Sequence, residues 1–123
     1  MATFTKLALQ PAGTTGDGLG ILVVATATAG TAIHTASSTA TTIDELWLYA
    51  YNHHSGSVLL TIEYGGVTSP KDVITGSVAA ASGLVLMVPG LVIQGNATPK
   101  IVRAFAATAS KISIFGYVNR ITV

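Results

Sequence analysis

From Ile43 to Tyr51 the chain alternates with a period of two. Ile43, Glu45, Trp47, Tyr49 and Tyr51 fall on one side, and Asp44, Leu46, Leu48 and Ala50 fall on the other. That period belongs to a β-strand, whose successive side chains point to opposite faces, and the β-branched and aromatic content agrees with it. After the Gly-centred turn "NHHSGS", Val58, Leu60, Ile62 and Tyr64 alternate with Leu59, Thr61 and Glu63, so the two segments read as a hairpin. The same grammar returns in 21–30, 31–38, 84–88, 91–95, 100–108 and 111–123. No window carries a helical period with caps, and "SVAAAS" (77–82) offers at most a single helical turn. The expectation is an all-β chain. Residues 1–123 form a single β-sandwich of eight or nine antiparallel strands, jelly-roll or immunoglobulin-like, because the long connections at 10–20 and 64–72 disfavour an up-and-down barrel.

Residues 1–20 stand apart as an N-terminal strand or arm, "TFTKLALQ", followed by a loop rich in glycine (Gly13, Gly16, Gly18, Gly20). The arm is expected to pair with the domain's own sheet, the alternative being addition to a neighbour's sheet edge. "YGGVTSPKD" (64–72) reads as a solvated connection, the alternative being a contact loop ordered against a partner.

Charge is scarce. Only 9% of the residues are charged, against about 25% in an ordinary soluble domain. A small domain has much surface for its volume, so this chain must cover itself with Thr, Ser, Ala and Gly, or with other subunits. The net charge of +1 and the scattered Lys6, Lys71, Lys100, Arg103, Lys111 and Arg120 give no field to attract nucleic acid or an anionic membrane. Cysteine is absent, which excludes disulfides and thiolate metal sites. The start of the chain lacks the apolar run of a secretory signal and reads as mature sequence.

The run Val73–Pro99 contains no charged residue at all. Its most apolar part is shorter than the roughly 20 residues a membrane helix needs and is interrupted by Gly83, Pro89 and Gly90. Pro89-Gly90 is expected to divide "GLVLMVPGLVIQG" into two strands, Leu84 to Val88 and Leu91 to Gln94, apolar on both faces. Such strands occupy either the centre of a sandwich or a contact with another subunit, with Leu86 and Val92 as the positions that distinguish the two.

Catalytic chemistry finds no foothold. His53 and His54 are adjacent in a turn and diverge, His34 has no carboxylate near it in sequence, and neither arrangement suits a metal. Asp17, Asp44, Glu45, Glu63 and Asp72 could pair only across the fold, and Asp44 and Glu45 face opposite ways. "GDGLG" (16–20) neither follows a long strand nor opens a helix, so it reads as a turn and not as a phosphate loop; "NATP" (96–99) likewise reads as turn residues. No catalytic, cofactor or metal residue is assigned, and the chain is not expected to be an enzyme. Arg103 with Phe105 is the nearest approach to a basic and aromatic nucleic-acid site, and one pair is not enough. The Trp47, Tyr49 and Tyr51 row has three readings: the core, a protein interface or a carbohydrate platform. The candidate interface set is Trp47, Tyr49, Tyr51, Leu86, Val92 and Phe105.

The second half of the chain (60–121), with "TIEYGGVTSPKD", "GLVLMVPGLVI" and "IVRAFAATASKISIFGYVNRI", resembles small virion proteins of tailed bacteriophages. The resemblance implies a non-enzymatic capsid decoration, or cement, protein on the virion surface. It would bind the major capsid protein from outside, stabilise the head, and associate with itself, as a homotrimer in many members. It implies no cofactor, nucleic acid or membrane. The alternative within the same resemblance is a neck, tail or fibre-head sandwich with lectin-like carbohydrate binding.

Overall fold

A computed structural model describes residues 1–123. It contains nine strands and no helix: β1 (Thr3–Ala8), β2 (Ile21–Val23), β3 (Thr31–Thr35), β4 (Thr42–Asn52), β5 (Val58–Tyr64), β6 (Val73–Val78), β7 (Val85–Gln94), β8 (Ile101–Ala106) and β9 (Ile112–Thr122). They form two antiparallel sheets. Sheet A has the order β1-β9-β4-β7, with β2 also on β9, and sheet B has the order β3-β8-β5-β6.

The connectivity is that of a jelly roll. β5 pairs with β6, β4 with β7, β3 with β8 and β2 with β9, all antiparallel. This is one long hairpin with its tip at residues 65–72, rolled so that successive pairs alternate between sheets. Among consecutive strands only β5 and β6 are hydrogen-bonded neighbours, which excludes the immunoglobulin order.

Two expectations are corrected by this topology. β4 and β5 are not a hairpin: residues 53–57 carry the chain from sheet A to sheet B, and β4 pairs instead with β7 and β9. Alternation identifies a strand, whereas its partner is decided by which apolar face can be covered. The segment 83–95 is not two strands but the single β7, which crosses Pro89-Gly90 on an irregular register. Leu46 pairs with Leu91 and Trp47 with Pro89, so Gly90 is the extra residue, at φ +79°; a second shift leaves Met87 extra. β7 is an edge strand, where a missing N–H and two bulges are tolerated. It does not run through the sandwich centre. The "SVAAAS" segment forms no helical turn, since Ser77 and Val78 end β6.

The arm behaves as expected, with β1 pairing from Thr3↔Thr122 to Ala8↔Tyr117 along β9. β2 continues the same edge, from Ile21↔Ile114 to Val23↔Ile112, and the glycine-rich loop fills the gap between them. The core is the slab between the sheets. Leu46, Leu48, Ala50, Ile112, Ile114, Val118, Val88 and Val23 from sheet A meet Val58, Leu60, Ile62, Val78, Ile33, Val102, Ala104 and Ala106 from sheet B. β4 alternates buried and half-buried along its whole length, so one of its two faces is left outside the core.

Candidate interaction surface

The face left outside is the aromatic one. The inner face of β4 is Thr42, Asp44, Leu46, Leu48, Ala50 and Asn52, which places Trp47, Tyr49 and Tyr51 on the outer surface of sheet A and excludes the core reading of that row. Register extends the surface across the neighbouring strands. Ile43 lies beside Ile121, Glu45 beside Asn119, Trp47 beside Tyr117, Tyr49 beside Phe115 and Tyr51 beside Ser113. β1 adds Phe4 and Lys6, β2 adds Leu22, and β7 adds Leu86 and Val92. Leu86 and Val92 are 45% and 60% exposed, so both belong to this surface and neither to the core.

Phe105 does not join them. It sits on β8 opposite Thr61, on the outer face of sheet B with Arg103, a sandwich thickness away. Five of the six expected interface residues therefore converge. The others on this surface, Phe115, Tyr117, Ile121 and Phe4, were missed, although the odd-numbered positions of β9 repeat the pattern of β4 and could have revealed the first three.

The rings lie flat. Trp47 stacks on Tyr117 at 6.3 Å between centroids and 11° between planes, and the Lys6 ammonium stands 4.8 Å above the Tyr117 ring. A Cβ on Gly90 would come within 2.9 Å of the Trp47 ring, and one on Gly20 within 2.7 Å of Phe115. The indole and the phenyl ring thus rest on bare backbone, which lowers the surface to nearly the level of the sheet. At the far end Tyr51 meets His53 edge-on at 4.5 Å.

Within the strands the only charged side chains on this face are Lys6 and Glu45. Glu45 Oε1 accepts from Asn119 Nδ2 and from Trp47 Nε1, each at 2.9 Å. These two bonds hold its carboxyl below the usual range. The two charges thus rest on neutral groups, Glu45 on an amide and an indole and Lys6 on a phenol ring.

A second cluster lies buried between the sheets. The His34 and Asp44 side chains are fully buried, with His34 Nε2 2.8 Å from Asp44 Oδ2, so the carboxylate that His34 lacked in sequence is supplied by the fold. Gln10 N–H donates to His34 Nδ1 at 3.1 Å, which puts the ring proton on Nε2, facing Asp44. Arg120, directly across from Asp44 in the β4–β9 ladder, donates through Nε at 2.7 Å and Nη2 at 2.9 Å. Burial alone would raise the Asp44 pKa; the Arg120 and His34 bonds override it and bring the group to about 2. The cluster ties the end of the arm, β3, β4 and β9 together. It presents no nucleophile, because both imidazole nitrogens are engaged.

The pH dependence follows from the lowered Asp44 pKa. An unfolded Asp titrates near 3.8 and the folded one near 2, so the stabilisation is complete above pH 4 and disappears as pH falls through that interval. Urea midpoints measured from pH 5 to pH 2 should decline in that window by the equivalent of about 2 kcal/mol, and Asp44→Asn should remove most of the decline.

The other acids are engaged separately. Glu63, fully buried on sheet B, accepts from Thr28 Oγ1 and Gly30 N at 2.7 Å each; Asp72 pairs with Lys71 at 2.6 Å; Asp17 accepts from Leu19 N. No three His, Asp or Glu side chains group as a metal site. No helix is long and apolar enough to cross a membrane.

No protein-family model and no curated protein matches the chain. Its fold is similar to that of a solved chain described by the words "Bacillus endospore appendages form a novel family of disulfide-linked pili". The TM-score is 0.54 at 19% identity, over 99% of this chain and 88% of that one. At that identity the likeness is one of fold.

Proposed function

We propose that this protein is a non-enzymatic structural subunit of a bacteriophage virion, a capsid decoration protein that binds the head from outside. The observation that carries the reading is the outer face of sheet A, broad, aromatic and nearly uncharged, on a chain whose buried acids Asp44 and Glu63 are engaged in internal bonds. Exposed apolar patches of this extent mark protein contacts, and charged residues are depleted at the centres of such contacts. The sequence resemblance over 60–121 supplies the virion setting. Purified protein added to heads of its phage that lack it should co-sediment with them to saturation and raise the temperature at which they rupture. Failure to bind heads, together with glycan-array binding that Trp47→Ala abolishes, would replace this reading with the lectin-like one.

The pilus chain of similar fold favours a second reading, a subunit of a surface filament. This chain has no cysteine, so any filament it built would not be linked by disulfides. Fibres in electron micrographs of the concentrated protein would support that reading over decoration.

A further inference from the structure

We propose that the outer face of sheet A is covered by the same face of a second copy, in a two-fold, sheet-on-sheet dimer. The inference rests on the reading above only in that this face is buried in the assembled structure; it assigns the face to a second copy, so that the dimer would meet the head by its other surfaces. Three observations select a second copy.

The first is area. The face is four strand columns wide and as long as β4 and β9. At about 4.8 Å between strands and 3.4 Å per residue this is roughly 700 Å² per copy, close to the roughly 800 Å² per partner of a stable protein interface. The second is shape. With Trp47 and Phe115 lying on Gly90 and Gly20, the middle of the face is low, and the hollow toward its β1 side, lined by Phe4, Lys6, Glu45, Asn119 and Ile121, is wide open; such a broad, open face is matched by another sheet face.

The third is charge. Lys6, Asn119, Glu45 and Val92 form one row across the four columns, between rows that are apolar apart from Gln94 at the β7 edge. A two-fold axis in the sheet plane along the strands lays this row on its own copy while reversing the column order. Glu45 then faces the Asn119 column and Lys6 faces the Val92 column, so no like charges meet. A strongly basic or acidic partner would find a neutral surface and gain nothing from it.

Trp47 is the sole tryptophan and lies at the centre of this face, so it reports the contact directly. Sedimentation over a wide dilution series should show a monomer–dimer equilibrium, with Trp47 emission shifting to the blue and acrylamide quenching falling as dimer forms. Tyr49→Lys and Leu86→Lys place a charge opposite the partner at solvent-facing positions. Each should weaken the dimer by about thirtyfold or more while leaving the β circular-dichroism spectrum unchanged. Leu59→Lys, on the outer face of sheet B, should leave dimerisation as it is. A wild-type protein that stays monomeric with Trp47 exposed, or one whose association responds to Leu59→Lys and not to Tyr49→Lys, overturns the inference. Head binding measured on the same samples separates the two proposals: a monomer that saturates heads overturns the dimer alone, and a dimer that ignores heads overturns decoration alone.

Discussion

Asp44→Ala should cost about 3 to 5 kcal/mol of stability, the range for removing one partner of a buried ion pair. The size follows from what would be left behind. Arg120 would lose both of its bonds to the carboxylate, and the fully buried His34 would be left with an Nε2 proton and no acceptor. The loss would spread, because His34 also accepts from the Gln10 backbone, and Gln10 O in turn accepts from Thr35 N at 2.9 Å. Equilibrium urea unfolding at neutral pH is the measurement. A change of less than about 1 kcal/mol, the scale of an exposed pair, would mean that water replaces the carboxylate and that the cluster is not a clasp.

Gly116→Ala should be at least as damaging, about 4 kcal/mol or more, and should leave little soluble protein. Gly116 pairs with Leu48 in the middle of the β4–β9 ladder, the central pairing of sheet A. A methyl group there would collide with the Trp47 carbonyl oxygen and approach Leu48 Cα to 3.2 Å. Both obstacles are backbone, so no rotamer change relieves them and the strands would have to separate. Gly56→Ala is the control. It lies in the connection between sheets with nothing within 4 Å of the added carbon, and should change stability by no more than about 0.5 kcal/mol. Equal behaviour of the two variants would sink the argument.

The alternating strands were readable because period-two burial is a local property. β4, β5, β8 and β9 lie where alternation placed them, and β1 pairs with the domain's own sheet, as expected of the N-terminal arm. The hairpin assigned to β4 and β5 failed for a physical reason. A turn such as "NHHSGS" reverses the chain, but it does not say whether the return strand stays in the same sheet or crosses to the other. The edge position of β7 was illegible for a related reason, since an apolar run suits a buried strand and an assembling edge equally. Leu86 and Val92, the positions chosen to distinguish the two, lie exposed on the outer face.

The candidate surface was half legible. Trp47, Tyr49 and Tyr51 are one strand's alternation, visible in sequence, whereas their continuity with Tyr117, Phe115, Leu86 and Phe4 depends on which strands flank β4 and in what register. Phe105 was grouped with them on chemistry and falls on the other sheet. The buried cluster left no local trace, because Gln10, His34, Asp44 and Arg120 come from four separate segments.

What could be read from the residues alone is that this chain is β throughout, that it is poor in charge, and that β4 has one aliphatic and one aromatic face. Those are properties of composition and of neighbours two residues apart. Which face is inside depends on how the sheets pack. The jelly-roll pairing places sheet B over the Leu46, Leu48 and Ala50 side of β4, because that side offers branched and small groups that interdigitate, together with an Asp44 that Arg120 and His34 can satisfy. The aromatic side was thereby turned outward. The row that admitted three readings in the sequence, core among them, lies on the outside of sheet A.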